Sequence, residues 1–287
     1  MVIAVLGPLE VSGTSARLTP RDRVVLAALC LRPGTVRSLD ALAEALWGEE
    51  PPASWSKIVQ GCVVRLRRAL GSGAVTTAAQ GYRLNVPGEE LDHVRFERLV
   101  GRARQALDAG EPDRAAYLLD EALRLWRGQP FPDLSEWSEA RGDIEHLVEL
   151  HDRAREDLVD ATVRTGGDGV AEAARLVAEA PFRERRWALL ALAQYRTGRQ
   201  QDALSTLARA RSTLVEELGL DPGPELRDLE RAVLSQDEAL AATVALSSPD
   251  ARCPYPGLVA YDVTDSAVFY GREADTSSCL RRLTATT

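Results

Sequence analysis

The sequence predicts a mainly α fold with a small β component, in which a winged helix-turn-helix is followed by a tetratricopeptide-like all-α repeat domain. Three observations predict it. Over residues 1–92, short β-like runs give way to three helical segments and then to a second pair of short strands. Past Asp92 the composition shifts to long helices rich in Ala, Leu, Glu and Arg. Within that second region one spacing of small and large apolar residues occurs twice, as in stacked helix pairs. At about 150 residues per domain, 287 residues accommodate two such units.

In chain order, residues 2–6 and 9–11, on either side of Gly7-Pro8, and residues 16–18 read as strands of a small antiparallel sheet. Thr19-Pro20 offers an N-cap with proline at the first helical position. It opens an apolar helix over 21–31 that Pro33-Gly34 stops. The second helix starts after Ser38, carries Leu39, Leu42, Ala43, Leu46 and Trp47 at helical spacing, and ends at Gly48. Pro51-Pro52 closes the loop beyond it. A third helix covers about residues 54–70, and 74–86 supplies two strands around Ala79-Gln80-Gly81.

The tetratricopeptide pattern fits residues 99–122, with Leu99, Ala103, Gly110, Ala115, Leu119 and Ala122 at its signature positions. It fits residues 187–210 as well, with Trp187, Leu190, Ala191, Gly198, Ala203, Leu207 and Ala210. Gly110 and Gly198 then fall at turns between paired helices, and Ala115 and Ala203 where the partners approach closely. Helices over 136–164 and 170–179 make a degenerate middle unit, and 224–236 a capping helix. The expected domains are 1–92 and 93–240, followed by an Ala/Ser/Pro-rich linker at 241–250 and a terminal stretch too short to fold alone.

Composition excludes several classes. The longest purely apolar run, residues 24–31, is eight residues where a span needs about 20, and residues 1–11 lack a basic leader. No membrane association is expected, and the reading is cytoplasmic. Cys30, Cys62, Cys253 and Cys279 lie far apart without a C-x-x-C, which fits reduced structural thiols. The only lysine, Lys57, is not preceded by glycine, so no phosphate loop exists, and neither G-x-S-x-G nor H-E-x-x-H occurs. No enzymatic activity, cofactor or metal is expected. His146, Glu149 and His151 do not share one helix face and read as surface residues. Trp47, Trp126, Trp137 and Trp187 sit in apolar helical patterns and read as packing residues.

Charge is unevenly placed. The chain carries −8 overall, but residues 1–96 carry +2 and the remainder −10. From residue 51 to 88 there is no acid at all, while Lys57, Arg65, Arg67, Arg68 and Arg83 supply five positive charges. Such a window on an otherwise acidic chain is a candidate footprint for a polyanion. On a helical wheel, Trp55, Ile58, Val59, Cys62, Leu66, Ala69 and Leu70 form the core stripe of the third helix. Lys57, Gln60, Val64, Arg67 and Arg68 lie opposite, with Ser56 at the flank. These types suit a major groove, where Lys or Arg reads guanine, Gln reads adenine and Val touches a thymine methyl. Arg65, at the edge of the stripe, is placed for phosphate. Thr19, Arg21 and Arg37, near helix ends, are further backbone contacts, and Arg83 with Tyr82 forms the wing. Trp55 either packs in the core or lies on the sugar-phosphate backbone. The plain alternative is a solvated basic face, against which stand the missing acids and the following hairpin.

The residues also resemble a known family, the Streptomyces antibiotic regulatory proteins, in which an OmpR-type winged helix precedes a bacterial transcriptional activation domain. The resemblance covers about 240 of the 287 residues. It rests first on Leu18-Thr19-Pro20-Arg21, Leu42 with Leu46-Trp47-Gly48, Pro51-Pro52, Val63 with Arg65-Leu66-Arg67-Arg68-Ala69-Leu70, and Gly81-Tyr82-Arg83-Leu84. In the second domain it rests on Leu91-Asp92 with Phe96-Glu97, the string Ala122-Leu123-Arg124-Leu125-Trp126-Arg127-Gly128, Pro181 with Glu184, and Glu216-Glu217-Leu218-Gly219-Leu220-Asp221-Pro222-Gly223. Val59, Cys62 and Val64 stand where the family usually has Leu, Tyr and Ser, so the operator is expected to differ. Cys253-Pro254-Tyr255-Pro256-Gly257-Leu258 and Phe269-Tyr270-Gly271-Arg272-Glu273 resemble the entry to an NTPase module of large members, which makes 241–287 a linker and truncated module start.

The resemblance implies a nucleoid-associated activator of antibiotic biosynthetic gene clusters. Its partners would be double-stranded promoter DNA carrying direct repeats, a second protomer on that DNA, and RNA polymerase with its sigma factor and other subunits. Charge reversal at Arg67 or Arg68 should then abolish promoter binding. Two alternatives remain at this point: a protein-interaction scaffold working through the repeat domain, and the regulatory front half of an NTPase switch.

Overall fold

The chain opens with β1 (Val2–Ala4) and β2 (Glu10–Ser12), antiparallel partners in which Ile3 faces Val11. The computed structural model describes residues 1–14, 16–237 and 240, so the expected linker, the NTPase-like start, Cys253 and Cys279 lie outside the described residues. Residues 16–18 do not form the expected third strand: Gly13, at φ +83°, turns the chain after β2, and Thr19 is already a helix cap. In α1 (Pro20–Cys30), the Thr19 hydroxyl accepts the Asp22 amide while Asp22 accepts the Thr19 amide, a capping box. Residues 25–30 are buried without interruption, so this helix is enclosed rather than amphipathic.

A strand the sequence reading lacks follows. β3 (Val36–Ser38) is three residues long with an arginine at its centre, which gives no alternating signal. α2 (Leu39–Trp47) is capped by the Ser38 hydroxyl accepting the Ala41 amide at 3.0 Å, and α3 (Trp55–Leu70) ends at Gly71. β4 (Val75–Ala78) and β5 (Gly81–Leu84) form the expected hairpin, and β3 adds to it in the order β3-β5-β4. A Cβ on Gly81 would stand 1.8 Å from the Arg37 carbonyl oxygen, so β3 and β5 meet only because residue 81 has no side chain. Gly81→Ala is expected to part those strands and lower stability by about 2 kcal/mol, read as a lower urea midpoint at unchanged slope. An unchanged midpoint would show that the pairing is dispensable.

Among the described residues, seven α-helices follow: α4 (Asp92–Asp108), α5 (Pro112–Leu123), α6 (Arg141–Arg164), α7 (Val170–Glu179), α8 (Glu184–Arg196), α9 (Gln200–Leu218) and α10 (Pro224–Leu234). Gly110 and Gly198 turn the chain between α4 and α5 and between α8 and α9 with φ of +74° and +79°, and Ala115 and Ala203 are fully buried. α6 starts later than expected. Residues 132–134 and 138–140 form 3-10 turns that sink Phe131, Leu134 and Trp137 into the core, so the chain enters α6 only at Arg141. Among the described residues, no helix is long and apolar enough to cross a membrane.

The core does not break at residue 92. One apolar cluster joins Ile3, Leu26, Val59 and Leu66 to Phe96, Leu119, Trp137, Leu147 and Ala154, and a second begins at Val159 and runs to Val233. Polar groups reinforce the first cluster: the buried Asp92 carboxylate accepts the Val5 and Leu6 amides at 2.8 and 3.0 Å, and the Arg127 guanidinium donates to the Pro8 carbonyl. Next to it His93 is enclosed, its ring edge-on to Phe131 at 5.3 Å, and burial lowers its pKa from 6.5 to about 4. Because the folded-state value lies below the unfolded one, the fold favours neutral imidazole, and stability is lost as pH falls from 6.5 toward 4. We expect a loss of about 2 kcal/mol between pH 8 and pH 5, to which the half-buried His151, shifted the same way, adds. Urea midpoints across that range should show it, and His93→Leu should flatten the slope; an equal slope in the variant would refute the assignment.

Candidate nucleic-acid interface

α3 sorts its side chains cleanly. Val59, Cys62, Val63 and Leu66 are buried, while Lys57, Gln60, Val64 and Arg68 are exposed at intervals of three and four and therefore form one row. Val64 is 45% exposed, an apolar residue with no core to cover it. Val63, which the wheel left out of the core stripe, is buried. Ser56 is half-buried beside the row, and Trp55 is half-buried with its ring packed on the core, the packing alternative of its two readings. No side chain caps the start of α3 and its first turn holds no acid, while the Trp55 amide donates to the Pro52 carbonyl at 2.8 Å.

The basic residues divide by what holds them. Among the described residues, Lys57, Arg68 and Arg83 enter no ion pair, and all three are exposed. Arg21 is exposed and stands 5.9 Å from the Trp47 ring centre. Arg65 instead binds Asp22, with Nε at 3.0 Å and Nη2 at 2.8 Å from its carboxylate, and keeps 45% of its side chain exposed. Burial acts to raise the Asp22 pKa, but the Arg65 guanidinium and the Thr19 donors outweigh it and hold the carboxyl below its usual range. Burial pushes the neighbouring Cys62 thiol up to about 11, so it stays protonated. A shallow groove of about 600 Å³ runs between Thr19, Arg21, Lys57, Gly61 and Arg65.

Four expected contacts change role. Arg37 does not reach the surface: its guanidinium is buried, ion-paired with Glu139 and stacked 5.4 Å from the Trp137 ring centre, because β3 is an internal edge against residues 137–139. Thr19 has no donor left for phosphate, since its amide and hydroxyl both donate to Asp22, at 3.0 and 2.7 Å. Tyr82 is buried on β5 opposite Thr77 rather than displayed on the wing. Arg67 turns away from the exposed row to bond β4, donating to the Val75 carbonyl at 2.8 Å and the Thr77 hydroxyl at 2.7 Å. The reading from sequence missed Asp22 as the partner of Arg65. Thr19-x-x-Asp22 is legible as a capping box, but the approach of α3 that brings Arg65 is not.

Of the α6 trio, His146 lies on the surface as expected, but His151 and Glu149 do not stand free. His151 stacks on Trp126 at 4.1 Å between ring centres, and Glu149 is tied to Arg153 and Arg183.

Comparison with known proteins places this geometry. The bacterial transcriptional activator domain matches residues 91–234, and the C-terminal domain of transcriptional regulatory proteins matches residues 13–84. The chain is 36% identical over 258 residues to the transcriptional regulator RedD of Streptomyces coelicolor, covering 85% of this chain and 73% of that protein. It is 32% identical over 272 residues to the regulatory protein DnrI of Streptomyces peucetius, covering 86% and 100%. It is 33% identical over 289 residues to the regulatory protein AfsR of Streptomyces griseus, of whose length it spans 28%. The solved structure of Mycobacterium tuberculosis EmbR in complex with a low affinity phosphopeptide superposes with a TM-score of 0.76 at 33% identity, over 84% of this chain and 68% of that one.

Proposed function

Because the chain belongs to the Streptomyces antibiotic regulatory proteins, transcription regulators rather than enzymes, we propose that it is a sequence-specific DNA-binding activator of an antibiotic biosynthetic gene cluster. The observation that carries the DNA-binding step is the exposed row Lys57, Gln60, Val64 and Arg68 on α3, free of ion pairs among the described residues, with Arg83 exposed on β5 and all five within 38 residues that hold no acid. α3 enters the major groove, Arg83 holds the flanking backbone, and Arg21 and Arg65 line the groove where a phosphate can lie. Residues 1–92 are the DNA-reading part. Residues 93–240, whose helix pairs we read as tetratricopeptide-like, carry excess negative charge, are repelled by DNA, and meet RNA polymerase, sigma factor included, and a second protomer on adjacent direct repeats. The working place of such a protein is the cytoplasm, on the nucleoid.

The test is to incubate the purified chain with fragmented genomic DNA from its source, sequence what it retains, and repeat at raised salt. Direct repeats spaced by about one helical turn upstream of biosynthetic genes, lost as salt rises, are the expected result. A folded sample that enriches nothing overturns the reading.

A further inference from the structure

Arg67 occupies a groove-facing position of α3 by its helical phase, yet its guanidinium lies against the wing. Nε donates to the Val75 carbonyl and Nη2 to the Thr77 hydroxyl, both on β4, and the guanidinium carbon stands 5.9 Å from the centre of the Tyr82 ring on β5. One side chain of the recognition helix therefore touches both strands of the hairpin. Arginine suits this: its rigid fork presents two donors at fixed separation, and its flat face stacks on an aromatic ring. β4 is also the outer strand of its sheet, so Arg67 takes up a carbonyl on a strand that has a neighbour on one side only. Tyr82, buried beneath, is held in register opposite Thr77, and the next residue, Arg83, faces solvent.

We propose that Arg67 is not a base reader but the positioning residue that sets the separation between wing and recognition helix, so that Arg83 and the exposed row of α3 engage one duplex together. This rests on the DNA-binding reading of that row. It assigns Arg68, not Arg67, as the arginine that faces base edges at the end of α3.

The experiment uses the full chain and a randomised duplex library, selected first with the unaltered protein. The winning duplex is then measured with Arg67→Ala, Arg67→Lys, Arg83→Ala and the double Arg67→Ala/Arg83→Ala. The expected result for Arg67→Ala is an affinity about tenfold weaker, base preferences unchanged at every position, and loss of backbone protection on the wing side of the site only. Arg83→Ala should add little to Arg67→Ala, because the two act through one contact. Arg67→Lys keeps the charge but not the fork, and should fail to restore protection. A second measurement needs no DNA: amide exchange over Val75–Ala78 and Gly81–Leu84 should quicken by about tenfold or more in Arg67→Ala, with the core amides of α3 unchanged. Altered preference at a single base pair with unchanged wing exchange overturns the proposal and leaves DNA binding standing, as does full binding by Arg67→Lys. Absence of any selected sequence with the unaltered protein overturns the DNA-binding reading, and this assignment with it.

Discussion

Arg68→Glu should weaken binding to the selected duplex by about a hundred-fold while leaving the protein folded. Arg68 is exposed in the last turn of α3 and enters no ion pair among the described residues, so no internal partner loses anything when it changes. The substitution removes one attraction to the duplex and adds one repulsion, together roughly 3 kcal/mol, which is the hundred-fold loss. Its cost to the fold is the smaller one of an acid at a helix C-terminus, about 0.3–1 kcal/mol. Arg65→Glu should behave in the opposite proportion. Arg65 neutralises the buried Asp22 carboxylate, and reversing it sets two carboxylates face to face at the junction of α1 and α3. Titration of both variants against salt separates the effects: the slope of log affinity against log salt should flatten by about one for a lost phosphate contact. Undiminished binding by folded Arg68→Glu would mean that α3 does not carry the contact.

That contrast marks where sequence reasoning reaches and where it stops. Signals confined to a few neighbouring residues were legible. Thr19-Pro20 opening α1, the start of α2 after Ser38 and the hairpin over residues 74–86 each follow from local backbone chemistry and lie where expected. The exposed row of α3 was legible for the same reason, since helical phase alone sorts faces. What fails is whatever depends on a distant segment. Arg37 looks like a surface cation until residues 137–139 fold over it, and Tyr82 looks like a wing residue until Arg37 pairs beside it on β5. The start of α6 slipped for that reason too: Trp137 fits a helical period, but its burial in the first core draws residues 138–140 into a tight turn. Arg67 is the instructive case, because helical phase gives its direction correctly and the wing, folding back, intercepts it.

Glu156→Ala is expected to be the most destabilising of these changes, by about 3–5 kcal/mol, with no direct effect on DNA contact. Glu156 sits on α6 with 1% of its side chain exposed, and accepts Arg186 Nε at 2.8 Å and Arg183 Nε at 2.9 Å. Arg186 is equally enclosed, so removing the carboxylate leaves it with the Leu176 carbonyl and a looser pairing to Asp152 at 3.3 Å. A buried cation stripped of its main partner is what makes such a loss large, far more than the strength of the pair itself. Position decides the form of the failure. Glu156 lies between Ala154, which closes the first apolar cluster, and Val159, which opens the second, so the damage falls on the junction that carries α7 to α10. Urea unfolding should therefore divide into two transitions, the earlier one belonging to the second cluster, while cold samples of the variant still bind the selected duplex. Replacing both charges, as Glu156→Leu with Arg186→Met, should recover most of the loss, because the apolar pair has no unpaired charge to solvate. A double variant as unstable as Glu156→Ala would show instead that the carboxylate's geometry, rather than the stranded arginine, holds α8 against α6.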